Sequence, residues 1–210
     1  VEHSLMSRVH GWMLGPQRAL IRAALFYTTP DYAGTVTLNK RTANVNGYTI
    51  SNARITDRTI EETLLLHFNI EKAGIREVKF RLPRYLADAE ISVPFLREKT
   101  LVPAEGFPGE LLVTLTLQDE VMNQLRVLIE HDRVLTGATY QVAIPTVLTG
   151  RVDRQYVARE SAGRDEVLTH DQSGLEPLTR QMKEWSTVDS LLTGGTTEAW
   201  IVTPGAEKPH

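Results

Sequence analysis

The sequence contains no cysteine among its 210 residues. This absence excludes disulfide staples, thiolate nucleophiles and all zinc or iron–sulfur sites that depend on cysteine ligands. It leaves the redox compartment open, because cysteine-free chains occur on both sides of a membrane. With 41% hydrophobic residues, the chain can bury a sizeable apolar core without covalent staples.

The sequence also lacks a long run of either charge sign, and 23 Lys and Arg against 26 Asp and Glu leave a formal net charge of −3. Such a balance provides no positive field for nucleic acid or an anionic bilayer, so neither is expected as a partner. No apolar stretch approaches the ~20 residues that span a bilayer, and no signal peptide is visible. Because the sequence begins at Val1, we expect a piece of a longer protein.

Catalytic motifs are missing as well. The six histidines are scattered, and none forms the i, i+4 pair that places two imidazoles on one helix face for zinc. Ser161 stands in Glu-Ser-Ala-Gly, without the glycines of a nucleophile elbow. Gly194-Gly195 has neither the lysine nor the third glycine of a phosphate cradle. We therefore predict a protein that is not an enzyme and has no catalytic residues and no cofactor.

The clearest positive signal is an alternation of apolar and polar residues between positions 62 and 82. The alternation is interrupted by Glu71-Lys72-Ala73-Gly74 and then resumes until Pro83, which cannot donate to a strand ladder. Two amphipathic strands with a short glycine-containing link predict an antiparallel hairpin. Its apolar face would hold Leu64, Leu66, Phe68, Ile70, Val78, Phe80 and Leu82.

A second alternation runs through residues 111–117 and 125–129, joined by a polar link, and predicts a second hairpin. Weaker strand signals lie at residues 19–27, 35–38, 140–144, 152–159 and 198–202, and Asn46-Gly47 favours a turn. Repeated strands with turns between them predict a mainly β fold, an antiparallel β-sandwich.

The C-terminal part has a different hydrophobic pattern, because apolar residues recur there at helical spacing. Leu178, Met182, Trp185, Val188 and Leu192 predict a helix, followed by a short terminal strand. A helix of one turn could also open at Asp57. We expect an N-terminal extension at 1–18, a β-sandwich domain at 19–159, and at 160–210 a linker, helix and final strand that either pack on the sandwich or open a following module.

Two groups of carboxylates are the candidates for binding chemistry. Glu130-His131-Asp132 and Asp119-Glu120 lie at opposite ends of strand 125–129, too far apart to act on one glycosidic bond. The ordinary interpretation of Asp119 and Glu120 is surface charge, and the alternative is a calcium site completed by loop carbonyls. Trp185 and Trp200 are predicted to pack in the core, and His67 to be a partly exposed sheet residue.

Three segments carry a resemblance to known proteins. Residues 70–83, Leu117-Gln118-Asp119-Glu120 and residues 161–166 resemble the repeated β-sandwich segments of very large, uncharacterised surface or envelope proteins of Planctomycetes-type bacteria. The resemblance extends over residues 19–202 and rests on turns and strand ends. It implies a module of a long extracytoplasmic or cell-surface protein, and it implies no activity.

These observations together predict a non-enzymatic structural or protein-interaction module, with other modules or proteins as its partners. Exposed strand edges could recruit another chain by strand addition. The alternative is an accessory domain that binds carbohydrate or calcium, with Tyr and Trp lining one face or Asp119 and Glu120 converging with other oxygens. An unrecognised hydrolase is the third hypothesis, and it requires His67 or His131 to meet a hydroxyl and a carboxylate. The sequence leaves the oligomeric state open.

Overall fold

The computed structural model describes residues 3–12, 28, 31, 41–137, 139–163, 173–191 and 196–203. The chain divides into two compact units, Val1–Lys40 and Arg41–His210. In the first unit the structure describes helix α1 (His3–Trp12), and the predicted strands at 19–27 and 35–38 lie outside the described residues. No helix in the described part of the chain is long and apolar enough to cross a bilayer.

The second unit is a mainly β structure. Its described strands join into one sheet of nine, in the order β3-β5-β2-β1-β7-β9-β8, with β4 paired to β5 and β6 paired to β2. The elements are β1 (Asn44–Ile55), β2 (Thr59–Pro83), a 3-10 turn (Arg84–Leu86), β3 (Glu90–Ser92), β4 (Leu96–Pro103), β5 (Glu110–Val134), β6 (Thr146–Val147), β7 (Arg151–Ser161), β8 (Leu175–Pro177), helix α2 (Trp185–Asp189) and β9 (Thr196–Val202).

Strands β2 and β5 are each 25 residues long and determine the architecture. They pair antiparallel on both sides of a short irregular stretch, where the register shifts between Ile70 and Ile75 and again before Glu77. Lys72 and Asn123 adopt positive φ in this stretch, at 68° and 71°. Bulges of this kind bend a strand pair, and we call this segment, residues 71–76 with 118–124, the bend.

The bend lets the two halves of the long strands face each other across one core. Residues 64, 66, 68 and 70 of β2 belong to the same buried cluster as residues 78, 80 and 82, and the matching halves of β5 contribute to it as well. One layer therefore contains β1, β3, β7, β8, β9 and the halves at 59–70 and 123–134, and the other contains β4, β6 and the halves at 77–83 and 110–117. The structure confirms the mainly β sandwich, with one parallel pair, β1 and β7.

The two predicted hairpins are wrong in their connectivity. Each alternation on either side of a polar link belongs to a single strand, so β2 and β5 pair with each other instead of folding back on themselves. Alternation reports which side chains are buried, but the strand keeps its buried face when it bends from one layer to the next. A polar link within an extended strand is therefore indistinguishable by pattern from a turn.

Three weaker predictions are also corrected. Asn46-Gly47 lies inside β1 and not in a turn. A Cβ on Gly47 would stand 1.9 Å from the His67 carbonyl oxygen, so the glycine allows β1 and β2 to lie close together. Residues 140–144 are not a strand, and β6 begins at Thr146. No helix opens at Asp57, because the β1–β2 connection is a tight turn in which the Thr59 N–H donates to Thr56 Oγ1 at 2.9 Å.

The C-terminal helix is present but minor. Residues before it form turns, with the Met182 N–H bonded to the Thr179 carbonyl and the Trp185 N–H to the Met182 carbonyl, so only Trp185–Asp189 is α-helical. The predicted terminal strand is confirmed as β9, which pairs antiparallel with β7. Trp200 on β9 is buried, which confirms its predicted core position, whereas Trp185 is half-buried and packs against the edge of a second cluster.

Candidate binding groove

The outer face of the first layer carries an ordered set of side chains. Strand pairing places Tyr48, His67 and Arg126 in one row across β1, β2 and β5. The next row on the same face holds Ile50, Leu65, Leu128 and, from β3, Ser92. Because residues two apart share a face of a strand, the two rows form one continuous surface that is aromatic and cationic at one end and aliphatic beside it.

Helix α2 covers only part of this surface. Leu178 and Val188 are buried together with Ile50, Tyr156 and Ala158. The remaining part is an open groove of about 730 Å³ between the β3–β4 turn and the residues that follow α2. Its lining consists of Tyr48, Leu65, Ile91, Ser92, Val93, Pro94, Leu96, Arg126, Leu128, Ser190 and Leu191.

The aromatic end of the groove is built on a stack. The rings of Tyr48 and His67 lie parallel, with centroids 4.7 Å apart and planes at 10°, and Tyr156 meets Tyr48 edge-on at 6.3 Å. Burial, and then the positive charge of Arg126, lower the pKa of His67 below its ordinary 6.5. The imidazole is therefore neutral at pH 7, and Arg126 supplies the positive charge of this row.

Arg126 is exposed, and its charge is not paired within the described part of the chain. No residue in the described part of the chain forms a hydrogen bond or ion pair with its side chain. Other arginines of the unit are paired, such as Arg54 with Glu61 at 2.6 Å and Arg81 with Glu110 at 3.0 Å. Towards the described residues, the guanidinium at the groove thus keeps its five donors available.

The β3–β4 turn forms one wall of the groove and presents Phe95 between the lining residues Pro94 and Leu96. Phe95 is 62% exposed and has a φ of 60°, a conformation that costs roughly 1–2 kcal/mol for a side chain with a Cβ. Gln118 holds the turn from β5, because its N–H donates to the Phe95 carbonyl at 2.8 Å and its Nε2 donates to the Leu96 carbonyl at 3.2 Å.

A second polar cluster lies inside the protein, around the buried side chain of Glu62 on β2. The Tyr85 hydroxyl donates to Glu62 at 2.8 Å, and Arg133 Nε lies 3.1 Å from its other oxygen. His131 Nδ1 lies 3.8 Å from Glu62, and its Nε2 lies 3.2 Å from the exposed Asp88. Burial, followed by the charge and the hydrogen bond of Glu62, raises the pKa of Tyr85.

This cluster resembles a structural ion pair more than a reaction centre. The hydrolase hypothesis requires a histidine that activates a hydroxyl, but the Tyr85 hydroxyl donates to Glu62 and not to His131. Arg133 lies over the Tyr85 ring at 4.4 Å and donates to the Gln141 carbonyl at 2.9 Å. The cluster therefore satisfies a buried carboxylate and fixes the 3-10 turn against β5.

The residues singled out for calcium lie elsewhere. Asp119 and Glu120 are exposed at the bend, where Glu120 lies 3.9 Å from Arg76 Nε. In the described ranges no group of three or more His, Asp or Glu residues is arranged so that it could hold a metal ion, and the calcium site at Asp119 and Glu120 stays a prediction. Ser161 is the last residue of β7, and Gly194-Gly195 lies outside the described residues.

Sequence reasoning missed the groove itself. The predicted strand face of His67, opposite Leu66, is confirmed, but the side chain is buried and not partly exposed. Its neighbours Tyr48 and Arg126 come from strands 19 and 59 positions away. Their convergence depends on strand register, which the sequence did not supply. The one local signal is Pro94-Phe95, an aromatic residue directly after a proline between two short strands.

No protein-family model matches the sequence, and no curated protein matches it. Among solved structures, the seventh ScaB type I cohesin from Pseudobacteroides cellulosolvens aligns at 10% identity and a TM-score of 0.32, over 60% of this chain and 99% of that one. A non-cellulosomal cohesin from the archaeon Archaeoglobus fulgidus aligns at 10% identity and a TM-score of 0.31, over 58% of this chain and 94% of that one. TM-scores of this size do not establish a shared fold, so function has to be inferred from the residues of this chain.

Proposed function

We propose that this chain is a non-enzymatic protein-interaction module of a larger cell-surface or envelope protein, and that it binds its partner through the β3–β4 turn and the adjoining groove. The observation that supports this most strongly is Phe95. Its side chain is 62% exposed on a backbone with a φ of 60°.

Such a residue adds little to the stability of the free protein and carries a cost. Exposed aromatic area gains nothing from burial, and the left-handed backbone adds strain. Protein interfaces use aromatic anchors of this kind at their centres. Because Gln118 already fixes the turn through two hydrogen bonds, little conformational entropy would be lost when a partner covers it.

Another exposed aromatic residue of the sandwich differs in this respect. Phe107, 42% exposed, lies under the guanidinium of Arg81, whose central carbon is 3.5 Å from the ring centroid. Phe95 has no cation or ring partner among the described residues. Phe107 therefore provides a matched control for an exposed phenylalanine in a turn.

The wider setting of the module rests on sequence alone. The segments around the bend resemble repeated sandwich segments of large surface or envelope proteins of Planctomycetes-type bacteria, and that resemblance supports an extracytoplasmic location. Neighbouring modules of the same long protein are then natural partners. Carbohydrate or calcium binding stays the alternative function.

The experiment compares capture by three immobilised full-length chains: the wild type, Phe95→Ala and Phe107→Ala. Each is incubated with a surface-protein extract of the source cells, and captured proteins are quantified by mass spectrometry. We expect one set of proteins to bind the wild type and Phe107→Ala equally and to fall about tenfold or more with Phe95→Ala, since a central anchor contributes at least ~1–2 kcal/mol. Equal capture by all three chains, each with a normal thermal melt, would overturn the proposal.

A further inference from the structure

We infer that the groove beside Phe95 binds an extended segment of the partner protein in which a carboxylate side chain and an apolar side chain are two residues apart. This inference rests on the proposed protein-binding function and specifies the partner's chemistry. It follows from three successive outward-facing positions of β5, namely Arg126, Leu128 and Glu130.

The charge of the groove determines the first requirement. Arg126 is exposed and unpaired within the described ranges, and its neighbour His67 is neutral at pH 7 because burial and Arg126 itself lower the pKa of His67. A guanidinium binds a carboxylate through two parallel hydrogen bonds, which a point charge cannot match. A carboxylate is therefore the partner group that this end of the groove fits.

The aliphatic row determines the second requirement. Leu128, with Leu65 beside it and Leu191 and Pro94 from the two walls, lines the part of the groove next to Arg126. Apolar lining with a few polar groups is typical of binding sites of this volume. A side chain such as leucine would bury apolar area there, at about 25 cal/mol for each Å² removed from water.

The spacing of these groups favours an extended segment. Alternate residues of a strand lie about 7 Å apart, so Arg126 and Leu128 match side chains two apart on another extended chain. Ser92 faces Leu128 across β3 and β5, and its hydroxyl has no hydrogen-bond partner in the described part of the chain. That hydroxyl can bond a peptide group of the bound segment.

Glu130 restricts the charge that the segment can carry beyond its apolar residue. It is exposed, and Glu90 pairs with it across β3 and β5. A second carboxylate beyond the apolar residue would meet these two negative charges and be repelled. The segment therefore places its carboxylate at the Arg126 end and tolerates a neutral or basic residue at the Glu130 end.

The test uses isotope-labelled full-length protein and two peptides, acetyl-Glu-Thr-Leu-amide and acetyl-Gln-Thr-Leu-amide, titrated by NMR. We expect amide shifts confined to the groove-lining parts of β1, β2, β3 and β5, and about fivefold tighter binding of the Glu peptide, the upper range for an exposed charge pair. Arg126→Gln should abolish the preference, and Arg97→Gln, an exposed arginine on β4, should leave it unchanged.

The inference would be overturned if the two peptides bound equally or if the preference survived Arg126→Gln. It would also be overturned if the amide shifts lay outside the groove or if no shifts were seen. A third titration uses octanoate, because a fatty acid also combines a carboxylate with an apolar chain. Tighter binding of octanoate than of the Glu peptide would indicate that the groove binds a lipid, and it would overturn the inference that it binds a peptide segment. These outcomes leave the Phe95-dependent capture untouched, so failure here is distinguishable from failure of the proposed function.

Discussion

Phe95 illustrates how one residue can oppose stability and still be informative about function. A turn that needs a left-handed residue is most cheaply built with glycine, because glycine has no Cβ to clash with the neighbouring carbonyl. The chain instead places phenylalanine there, at φ 60° and 62% exposed. Residues with an unfavourable backbone conformation of this kind are concentrated at functional sites, including binding sites.

We predict that Phe95→Gly stabilises the protein by about 0.5–1 kcal/mol in urea unfolding, since relief of strain exceeds the added entropy of the unfolded chain. Capture of the partner should fall at the same time. Asn123→Gly, at the bend with φ 71°, is the matched control and should stabilise without affecting capture. A destabilised Phe95→Gly protein would contradict the strain argument.

Tyr85 makes the free energy of unfolding depend on pH in the alkaline range. Its pKa in the folded protein is raised above 10.0 by burial and by Glu62, whereas the unfolded chain keeps the ordinary value near 10. Above pH 10 the folded state thus holds a proton that the unfolded state releases. The stabilisation is therefore complete below pH 10 and is lost as the pH rises towards the folded pKa.

Accordingly, Tyr85→Phe should flatten the decline of unfolding free energy between about pH 10 and 11.5, and lower stability at pH 7 by about 1 kcal/mol through the lost hydrogen bond to Glu62. Urea unfolding at a series of pH values measures both effects. An unchanged slope in Tyr85→Phe would show that Tyr85 does not titrate differently on folding.

At the scale of elements, the pairing of strand β1 with β2 depends on Gly47, a glycine for which the sequence pattern predicted a turn. A Cβ at Gly47 would lie 1.9 Å from the His67 carbonyl oxygen and 3.0 Å from its carbon, both backbone atoms that cannot move without displacing β2. The β1–β2 contact also supports the Tyr48–His67 stack.

We therefore expect Gly47→Ala to destabilise the protein by roughly 3 kcal/mol or more, as overpacking against backbone does. In Gly137→Ala, whose Cβ would meet only the Tyr140 hydroxyl, at 3.9 Å, among the described residues, stability should change by no more than about 0.5 kcal/mol. Thermal melts of the two variants give the comparison. A wild-type melt for Gly47→Ala would mean that β1 and β2 are not this close.

The same elements show what could be predicted from sequence. The alternations at 64–70, 78–82, 111–117 and 125–129 identified the core face correctly, because burial follows the two-residue period of a strand. They could not show that each pair forms one strand, since a bend and a turn both interrupt the pattern with polar residues. The groove required the register of four strands, and register is a tertiary property.

At the scale of the whole molecule, the described sandwich is one sheet in which distant segments are neighbours. β7 lies between β1 and β9, and β9 lies between β7 and β8. Trp200 and Val202 of β9 are buried with Val157 of β7. The last described strand therefore links β7 to β8 within the described sheet.

We predict that a chain ending at residue 195 loses cooperative thermal unfolding, because β7 and β8 would lose their shared partner and a large buried aromatic side chain, together worth several kcal/mol. A chain ending at residue 203 retains all of β9 and should melt like the full chain. Circular dichroism during heating distinguishes the two. A cooperative, unshifted melt of the shorter chain would contradict the role assigned to β9.

The central claim, that the β3–β4 turn contacts a partner protein, is tested most directly by photo-crosslinking. A photoreactive benzoylphenylalanine replaces Phe95 in one full-length chain and Phe107 in another, and each is irradiated with the extract used for capture. We predict that position 95 crosslinks to the captured protein and that position 107 does not. Crosslinks from position 107 alone, or from neither position while capture persists, would contradict the account.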